Sequence, residues 1–333
     1  PITYYYKINY QAIKIITIII LIASLPSLYQ YIGYLTTSGE ALYDTLSAAE
    51  ETLNLPLYFS HYRKIVCYLS LAILGIYWTS DNYVKRRLRK YTLIILCISV
   101  LFVASVPTRN GILSFALPLV LLFACTHKLS NKTIIFLLII AVVVFMGIYY
   151  AISIGKYWYL YETSTNPMKV LADEIKVYLS GSIIAFDATY SSHAYMYTGR
   201  NTFRFFIAVG DAIFGTSSAL KLTNEFVSIS GINTNVFTIY DFYIRDFGVF
   251  YALIAQFVIS LIHGISYKGM RKGELFQTYM YSLLSYPLVM QFFQDQYISL
   301  LSTWVQTVLV GWIILKAKIF VKKTPIHNSK KLE

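Results

Sequence analysis

Long apolar runs separated by short polar gaps dominate the chain. A window of about 19 residues, the length that crosses a bilayer as a helix, finds eight such runs. They lie near residues 12–29, 62–79, 91–106, 110–127, 133–153, 247–265, 275–293 and 298–317. The runs are continuous, whereas the strands of a transmembrane barrel would alternate apolar and polar residues. The pattern therefore predicts an all-α, polytopic transmembrane helical protein with about eight spans in this chain.

The polar gaps predict which side of the membrane each span end faces. Gaps at 81–90, 127–132 and 267–273 and the C-terminal tail are rich in lysine and arginine, and they alternate with gaps that hold most of the acidic residues. By the positive-inside rule, the basic gaps and both chain ends are cytoplasmic. We expect a single polytopic domain, 1–333, with one large outer loop at 154–246. Because the chain begins at Pro1 without a signal-peptide pattern, we also expect N-terminal spans to be missing.

Composition supports a membrane protein and argues against several other classes. Hydrophobic residues make up 57% of the chain and charged residues 13%, which is outside the balance of a soluble domain. The lysines and arginines behind the net charge of +12 cluster in the short gaps between apolar runs, where they indicate topology. Nucleic acid is therefore not expected as a partner. Cys67, Cys97 and Cys125 fall in different apolar runs, which gives neither a disulfide framework nor a metal-binding spacing. Without a glycine-rich phosphate loop or a hydrolase nucleophile motif, we expect no cofactor and no metal.

The large outer loop is predicted to contain two helices. Residues 166–186 place apolar side chains at helical spacing, which indicates an amphipathic helix on the outer membrane face. Residues 201–215 are apolar but short, and Arg204 and Asp211 interrupt them. This pattern favours an interfacial or re-entrant helix. An additional span is the alternative for this segment, although it breaks the alternation of charge.

A cluster of charges precedes the sixth apolar run. Asp241, Arg245 and Asp246 lie within six residues, and charges at the head of a span are costly unless they face water, a partner or a substrate. Asp241 and Arg245 stand at i, i+4 and can pair, which leaves an acid available as a general base. Tyr240 and Tyr243 flank the charges as candidates for substrate contact. For these two tyrosines, an aromatic belt at the membrane interface is the alternative.

Other outward side chains are candidates for binding an anion. Arg109 lies in a tight turn, where its guanidinium suits a phosphate at headgroup depth or acts as a snorkelling anchor. Arg200 and Arg204 stand at i, i+4, so on a helix they share a face and can clamp one diphosphate, unless they pair with lipid headgroups. Asp187 and His193 add an acid and an imidazole to the same loop, where a lone histidine is more often a solvated bystander.

Several of these segments together carry a resemblance to a known family. They are the turn with Arg109, the stretches YLSGSIIAFDATYSS and GRNTFRF, and TNVFTIYDFYIRDFG at 234–248. Over roughly residues 95 to 265 the chain resembles the Wzy-type polymerases of bacterial O-antigen and capsule repeat units. Arg204 and Gly215 reproduce an Arg-x10-Gly spacing described for some members. The chain departs from the family in lacking a second such spacing and in having fewer spans than many members.

The resemblance implies a membrane glycosyltransferase that joins undecaprenyl-diphosphate-linked glycans at the periplasmic face of the bacterial inner membrane, without a nucleotide sugar. Membrane lipids and a polysaccharide chain-length regulator are the implied partners. A hydroxyl of one repeat unit would attack the anomeric carbon of a chain whose leaving group is a lipid diphosphate. The residues assigned are Arg109, Arg200 and Arg204 for the diphosphate, Asp241 or Asp246 for the base, and Arg245 for orienting them or contacting substrate.

Three other functions stay open at the level of sequence. An O-antigen ligase would share the topology and the arginines but would use lipid A core as its acceptor. A flippase or other transporter of lipid-linked oligosaccharide should carry internal repeats and ionisable groups deep in its spans, whereas this sequence shows no internal repeat and its spans are almost free of acids. In a non-enzymatic scaffold or assembly partner of chain-length regulators, the charge cluster would be a salt-bridged helix cap.

Overall fold

The structure is a computed structural model. It describes residues 4–37, 57–104, 109–127, 167–191, 199–220, 227–229, 232–317 and 319–325, with scattered positions from 129 to 147. The helices are α1 (Tyr10–Thr37), α2 (Leu57–Thr79), α3 (Asn82–Ala104), α4 (Arg109–Thr126), α5 (Pro167–Ser191), α6 (Arg204–Phe214), α7 (Tyr240–Arg271), α8 (Leu275–Leu283), α9 (Ser285–Met290) and α10 (Leu301–Leu315). The strands β1 (Tyr4–Ile8) and β4 (Val321–Pro325) pair antiparallel, as do β2 (Val227–Ile229) and β3 (Ile232–Thr234).

The predicted helical class is confirmed, but eight spans are not. Among the residues that the structure describes, two helices are long and apolar enough to cross a membrane, Tyr10–Tyr29 and Tyr240–Arg271. The apolar helices Asn110–Thr126 and Leu301–Leu315 are shorter, and at about 1.5 Å per residue they do not reach the ~30 Å of a hydrocarbon core. The seventh predicted run is divided between α8 and α9. The fifth, at 133–153, falls largely outside the described residues.

Internal contacts divide the chain into two compact units, each assembled from separate stretches. The first comprises Pro1–Trp158, Ile265–Ser285 and Gln306–Glu333. The second comprises Tyr159–Gly264 and Tyr286–Val305.

The first unit is a group of helices packed along apolar stripes. α3 packs against α1 and α2, and α4 packs against α2 and α8. On α1 the buried side chains Ile13, Thr17, Ile20 and Ser24 recur at helical spacing. The hydroxyls of Thr17 and Ser24 donate to the carbonyls four residues earlier, at 2.8 and 2.6 Å. Polar groups inside this apolar interface are thereby satisfied within their own helix.

Side-chain caps fix where α1 and α3 begin. The side-chain oxygen of Asn9 accepts the Ala12 N–H at 3.2 Å, and that of Asp81 accepts the Val84 N–H at 2.8 Å. Both side chains satisfy an N–H group that the first turn of a helix leaves without an internal partner. Strand β1 leads directly into α1, and the Asn9 N–H also donates to the Phe320 carbonyl at 2.8 Å.

The second unit contains the helices predicted for the large outer loop. α5 covers most of the predicted segment 166–186 and packs against β2 and β3. α6 has 11 residues, about half the length that a span needs. Its large side chains Phe206, Val209, Ile213 and Phe214 are exposed. α6 therefore presents the apolar surface that an interfacial helix requires, and it is too short for the alternative of an additional span.

Candidate functional site

A bend near the start of α7 separates the charge cluster from the apolar helix. Gly248 has φ 81° and ψ 176°, a conformation essentially restricted to glycine. Residues 240–247 therefore form a short helical segment of their own, which we call the α7 head. Beyond the bend, large apolar side chains face outward, among them Phe250 and Phe257 at 70% and 69% exposed. The charges thus precede the apolar helix and do not lie in its first turn.

Asp246 connects the α7 head to the turn before α6 through hydrogen bonds. Its side chain is buried. Oδ1 accepts the side-chain amide of Asn201 at 2.9 Å and the Asn201 backbone N–H at 3.4 Å, and Oδ2 accepts the Thr202 backbone N–H at 2.6 Å. Both carboxylate oxygens are therefore engaged, and Asp246 joins two segments that lie 45 residues apart in sequence.

Asp295 fastens the α7 head to the loop before α10. Its buried carboxylate accepts the Tyr243 hydroxyl at 2.9 Å and the backbone N–H groups of Tyr297 and Ser299 at 3.0 and 2.7 Å. The Ser299 carbonyl in turn accepts Nη2 of Arg204 at 2.9 Å. Burial raises the pKa of the Asp295 carboxyl although these donors oppose it, and burial lowers the pKa of the Arg204 guanidinium. A ring of hydrogen bonds thus connects the α7 head, the start of α6 and this loop.

Asp241 and Arg245 form an ion pair in the α7 head, in which the arginine is partly exposed and the carboxylate is buried. Nε of Arg245 donates to Oδ1 of Asp241 at 2.8 Å, which confirms the predicted i, i+4 pair. The guanidinium carbon lies 4.9 Å from the centroid of the Phe237 ring, within the range of a cation–π contact. The Arg245 side chain is 24% exposed, and that of Asp241 is 3% exposed. Within the described residues, the two terminal nitrogens of Arg245 have no protein partner.

Buried polar atoms without partners occur beside this pair. Oδ2 of Asp241 and the hydroxyls of Thr202 and Thr238 are buried and make no hydrogen bond within the described part of the chain. Buried polar groups are normally satisfied, because leaving one unpaired costs free energy. The three carboxylates in this region belong to Asp241, Asp246 and Asp295, and within the described residues only Asp241 has an oxygen without a partner. Asp241 also pairs with Arg245, whose guanidinium is held through Nε. This arrangement can bind an anion at the guanidinium and accept a proton at Oδ2.

The surroundings of Tyr243 and Arg200 differ from those that the sequence predicts. Tyr243 is 2% exposed and donates to Asp295, so its ring is a packed part of the α7 head, whereas Tyr240 is 42% exposed. Arg200 lies in the turn before α6, and its Nη2 donates to the Ser218 carbonyl. Because α6 begins only at Arg204, these two arginines do not share a helical face as predicted, and each binds a different carbonyl.

The other residues predicted for the site are on different helices or outside the described residues. Asp187 is exposed on α5. Arg109 is the first residue of α4, but its side chain lies outside the described residues, as does the whole of His193. Asp211 accepts hydrogen bonds from Thr216 and Ser218, which lower its pKa and order the loop that follows α6.

Sequence reasoning missed Asp295 and Gly248. Asp295 stands between Gln294 and Gln296 in a short gap, and three consecutive polar side chains exceed what a simple turn between spans needs. Gly248 follows the charge cluster and precedes a run of large apolar residues, which is the position of a helix break. Both signals are present in the sequence, although neither identifies its partner.

Within the described ranges, no three histidine, cysteine or acidic residues come together as a metal site would require. No protein-family model, curated protein or solved structure matches the chain.

Proposed function

We propose that this protein is a membrane glycosyltransferase that polymerises undecaprenyl-diphosphate-linked oligosaccharide repeat units at the periplasmic face of a bacterial inner membrane. The observation that supports this most is the Asp241–Arg245 pair. Arg245 is held at Nε and lies over the Phe237 ring, and its two terminal nitrogens have no partner among the described residues. It lies just before a helix whose apolar side chains are exposed. A lipid diphosphate offers the same combination of a charged headgroup and an apolar chain.

In the proposed reaction, Arg245 binds the diphosphate and Asp241 acts as the base. The acceptor hydroxyl oxygen forms a bond to the anomeric carbon, and the bond from that carbon to the diphosphate oxygen breaks. The hydroxyl proton passes to Oδ2 of Asp241, and the diphosphate leaves on its lipid. The guanidinium neutralises the charge that develops on the leaving group. A positioned general base contributes typically about 10²–10⁴-fold to such a rate.

Asp246 is the less suitable of the two proposed bases. Its oxygens already accept three N–H groups, so taking a proton would break contacts that hold the turn before α6. We assign it to positioning of the α7 head. Arg204 binds the Ser299 carbonyl through one nitrogen, and it keeps further donors for substrate. Tyr240, with its exposed ring, is placed to contact a sugar.

The test is the length distribution of lipopolysaccharide or capsule on a denaturing gel. The source bacterium without this protein is complemented with wild type, Asp241→Asn or Arg245→Gln, and membrane abundance of each variant is measured. The matched control is Arg271→Gln, since Arg271 is an exposed arginine at the other end of α7. We expect deletion and both α7-head variants to leave a single repeat unit on the core, and the control to restore a full ladder.

Two results would overturn the proposal. If Asp241→Asn and Arg245→Gln restore full ladders at normal abundance, the pair is a salt-bridged helix cap without a chemical role. If deletion removes every attached unit including the first, flipping or ligation of the lipid-linked unit becomes the better account.

A further inference from the structure

A second charged region lies in the first unit, between the N-terminal halves of α1 and α3. It is a groove of about 640 Å³, and we call it the basic groove. Its lining contains five cations and no acid. The lining residues are Tyr10, Gln11 and Lys14 of α1 and Arg86, Arg87, Arg89, Lys90, Tyr91 and Leu93 of α3.

The cations of the basic groove lack anionic partners. Among the residues that the structure describes, Lys14, Arg86 and Arg89 make no hydrogen bond or ion pair, and all five cations are exposed. Arg87 lies between two aromatic rings, with its guanidinium carbon 5.0 Å from the Tyr10 centroid and 4.8 Å from the Tyr83 centroid. Those contacts restrict the orientation of the guanidinium, and within the described part of the chain its nitrogens have no acceptor.

The surroundings of the groove disfavour this accumulation of positive charge. The positive end of the α3 dipole lies at its N-terminus, close to the cations. Arg86 is also within i, i+3 and i, i+4 of Arg89 and Lys90, and such like-charge pairs are destabilising. In the small sheet that leads into α1, Lys7 is directly opposite Lys322, a further unfavourable pair. A bound anion would remove this repulsion.

The apolar surface next to the groove indicates which anion. Leu93 lines the groove and is 50% exposed. Farther along the same two helices, Ile15, Ile22 and Leu101 are more than half exposed. A free phosphate would use only the cations, whereas a phospholipid can place its phosphate on the cations and its acyl chains on this apolar surface.

From this charge complementarity we infer that the basic groove binds the headgroup of an anionic phospholipid. The inference rests on the first unit alone and does not depend on the proposed glycosyl transfer. The occupied groove would fix the positions of α1 and α3 at the membrane surface, because one headgroup would contact side chains of both helices.

The test is the lipid retained by the full chain when it is released from nanodiscs that contain equal amounts of phosphatidylglycerol and phosphatidylcholine. Native mass spectrometry identifies the bound lipid. We expect wild type to retain phosphatidylglycerol preferentially. Each of Arg86→Gln, Arg87→Gln and Arg89→Gln should reduce that retention about fivefold, the effect of one basic residue near an anionic surface. Arg271→Gln, which removes the same charge away from the groove, should leave retention unchanged.

Several outcomes would overturn the inference. Equal retention of the two lipids by wild type would exclude a specific site, and so would an equal loss in Arg271→Gln and Arg87→Gln, since net charge alone would then explain binding. In a parallel arm, inorganic phosphate is titrated into the detergent-solubilised chain by calorimetry. Phosphate binding at the groove without phosphatidylglycerol retention would assign it to a soluble anion. The three arginines are exposed, and thermal unfolding of each variant shows whether it folds.

Discussion

The α7 head and the basic groove both concentrate charge, but they do so in opposite ways. At the α7 head, Asp246 and its neighbour from the loop before α10, Asp295, are buried, and both oxygens of each of these two carboxylates accept hydrogen bonds. In the basic groove, the cations are exposed and have no anionic partner within the described residues, although Arg87 and Lys90 lie against aromatic rings. A buried charge needs hydrogen-bonding or ionic partners, because leaving it unpaired away from water costs much free energy. An exposed charge can instead be solvated by water or bind a ligand.

The Asp241–Arg245 pair combines the two situations. Within the described residues, one oxygen of Asp241 is paired and the other is not, and one nitrogen of Arg245 is paired while two are not. The guanidinium is partly exposed, whereas Oδ2 of Asp241 is buried, where an unpaired acceptor costs free energy until a ligand supplies a donor. The comparison therefore separates charges that hold the fold from charges that contact a ligand, and substitutions should affect stability in the first group and binding or activity in the second.

The largest effect on stability should come from Asp246→Ala. This change leaves three partly buried N–H groups without their acceptor, and it should lower the free energy of unfolding by about 3 kcal/mol. Thermal unfolding in detergent, followed by tryptophan fluorescence, measures the loss. Asn201→Ala is the matched control, because it removes one of the same contacts, and the double variant should lose less than the sum of the two. A variant that is as stable as wild type but inactive would instead return Asp246 to the catalytic group.

This expectation for Asp246 could not be obtained from sequence. The i, i+4 spacing identifies the Asp241–Arg245 pair because a helix fixes local geometry. The partners of Asp246 are 45 residues away, and the partner of Tyr243 is 52 residues away, so both depend on tertiary packing. The sequence therefore located the charge cluster and predicted most of the helices. It could not show that both oxygens of Asp246 accept hydrogen bonds, or that within the described residues one oxygen of Asp241 does not. For the same reason, the sequence predicted Tyr243 as a substrate-contact residue, with an aromatic belt at the membrane interface as the alternative.

A smaller loss should follow Tyr243→Phe, which removes the hydroxyl that donates to Asp295. One hydrogen bond to a buried carboxylate contributes about 1–2 kcal/mol.

The effect of Tyr243→Phe should also depend on pH. Burial already raises the pKa of Asp295, and the Tyr243 hydroxyl opposes that rise. Removing the donor raises the pKa further, so the folded state of the variant binds the Asp295 proton more tightly than wild type does. The destabilisation should therefore be larger at the higher of two pH values, where more of the carboxylate is ionised, than at acidic pH, where it is protonated. Unfolding at both pH values measures the difference, and Tyr240→Phe, at an exposed ring, should show neither effect. A loss independent of pH would mean that the hydroxyl contributes packing alone.

The smallest effect has the opposite sign and concerns the basic groove. Arg86→Gln removes an exposed cation that lies three and four residues before Arg89 and Lys90, so in a neutral detergent it should stabilise the protein by ~0.5 kcal/mol. When phosphatidylglycerol is added, wild type should gain stability by mass action, because the lipid binds the folded state, and the variant should gain less. The order of the two unfolding temperatures should then reverse. Arg271→Gln serves as the control, and its response to the lipid should match wild type. If Arg86→Gln is destabilised in both conditions, the groove cations contribute to the fold in the way that the buried acids of the α7 head do, and the contrast between the two regions fails.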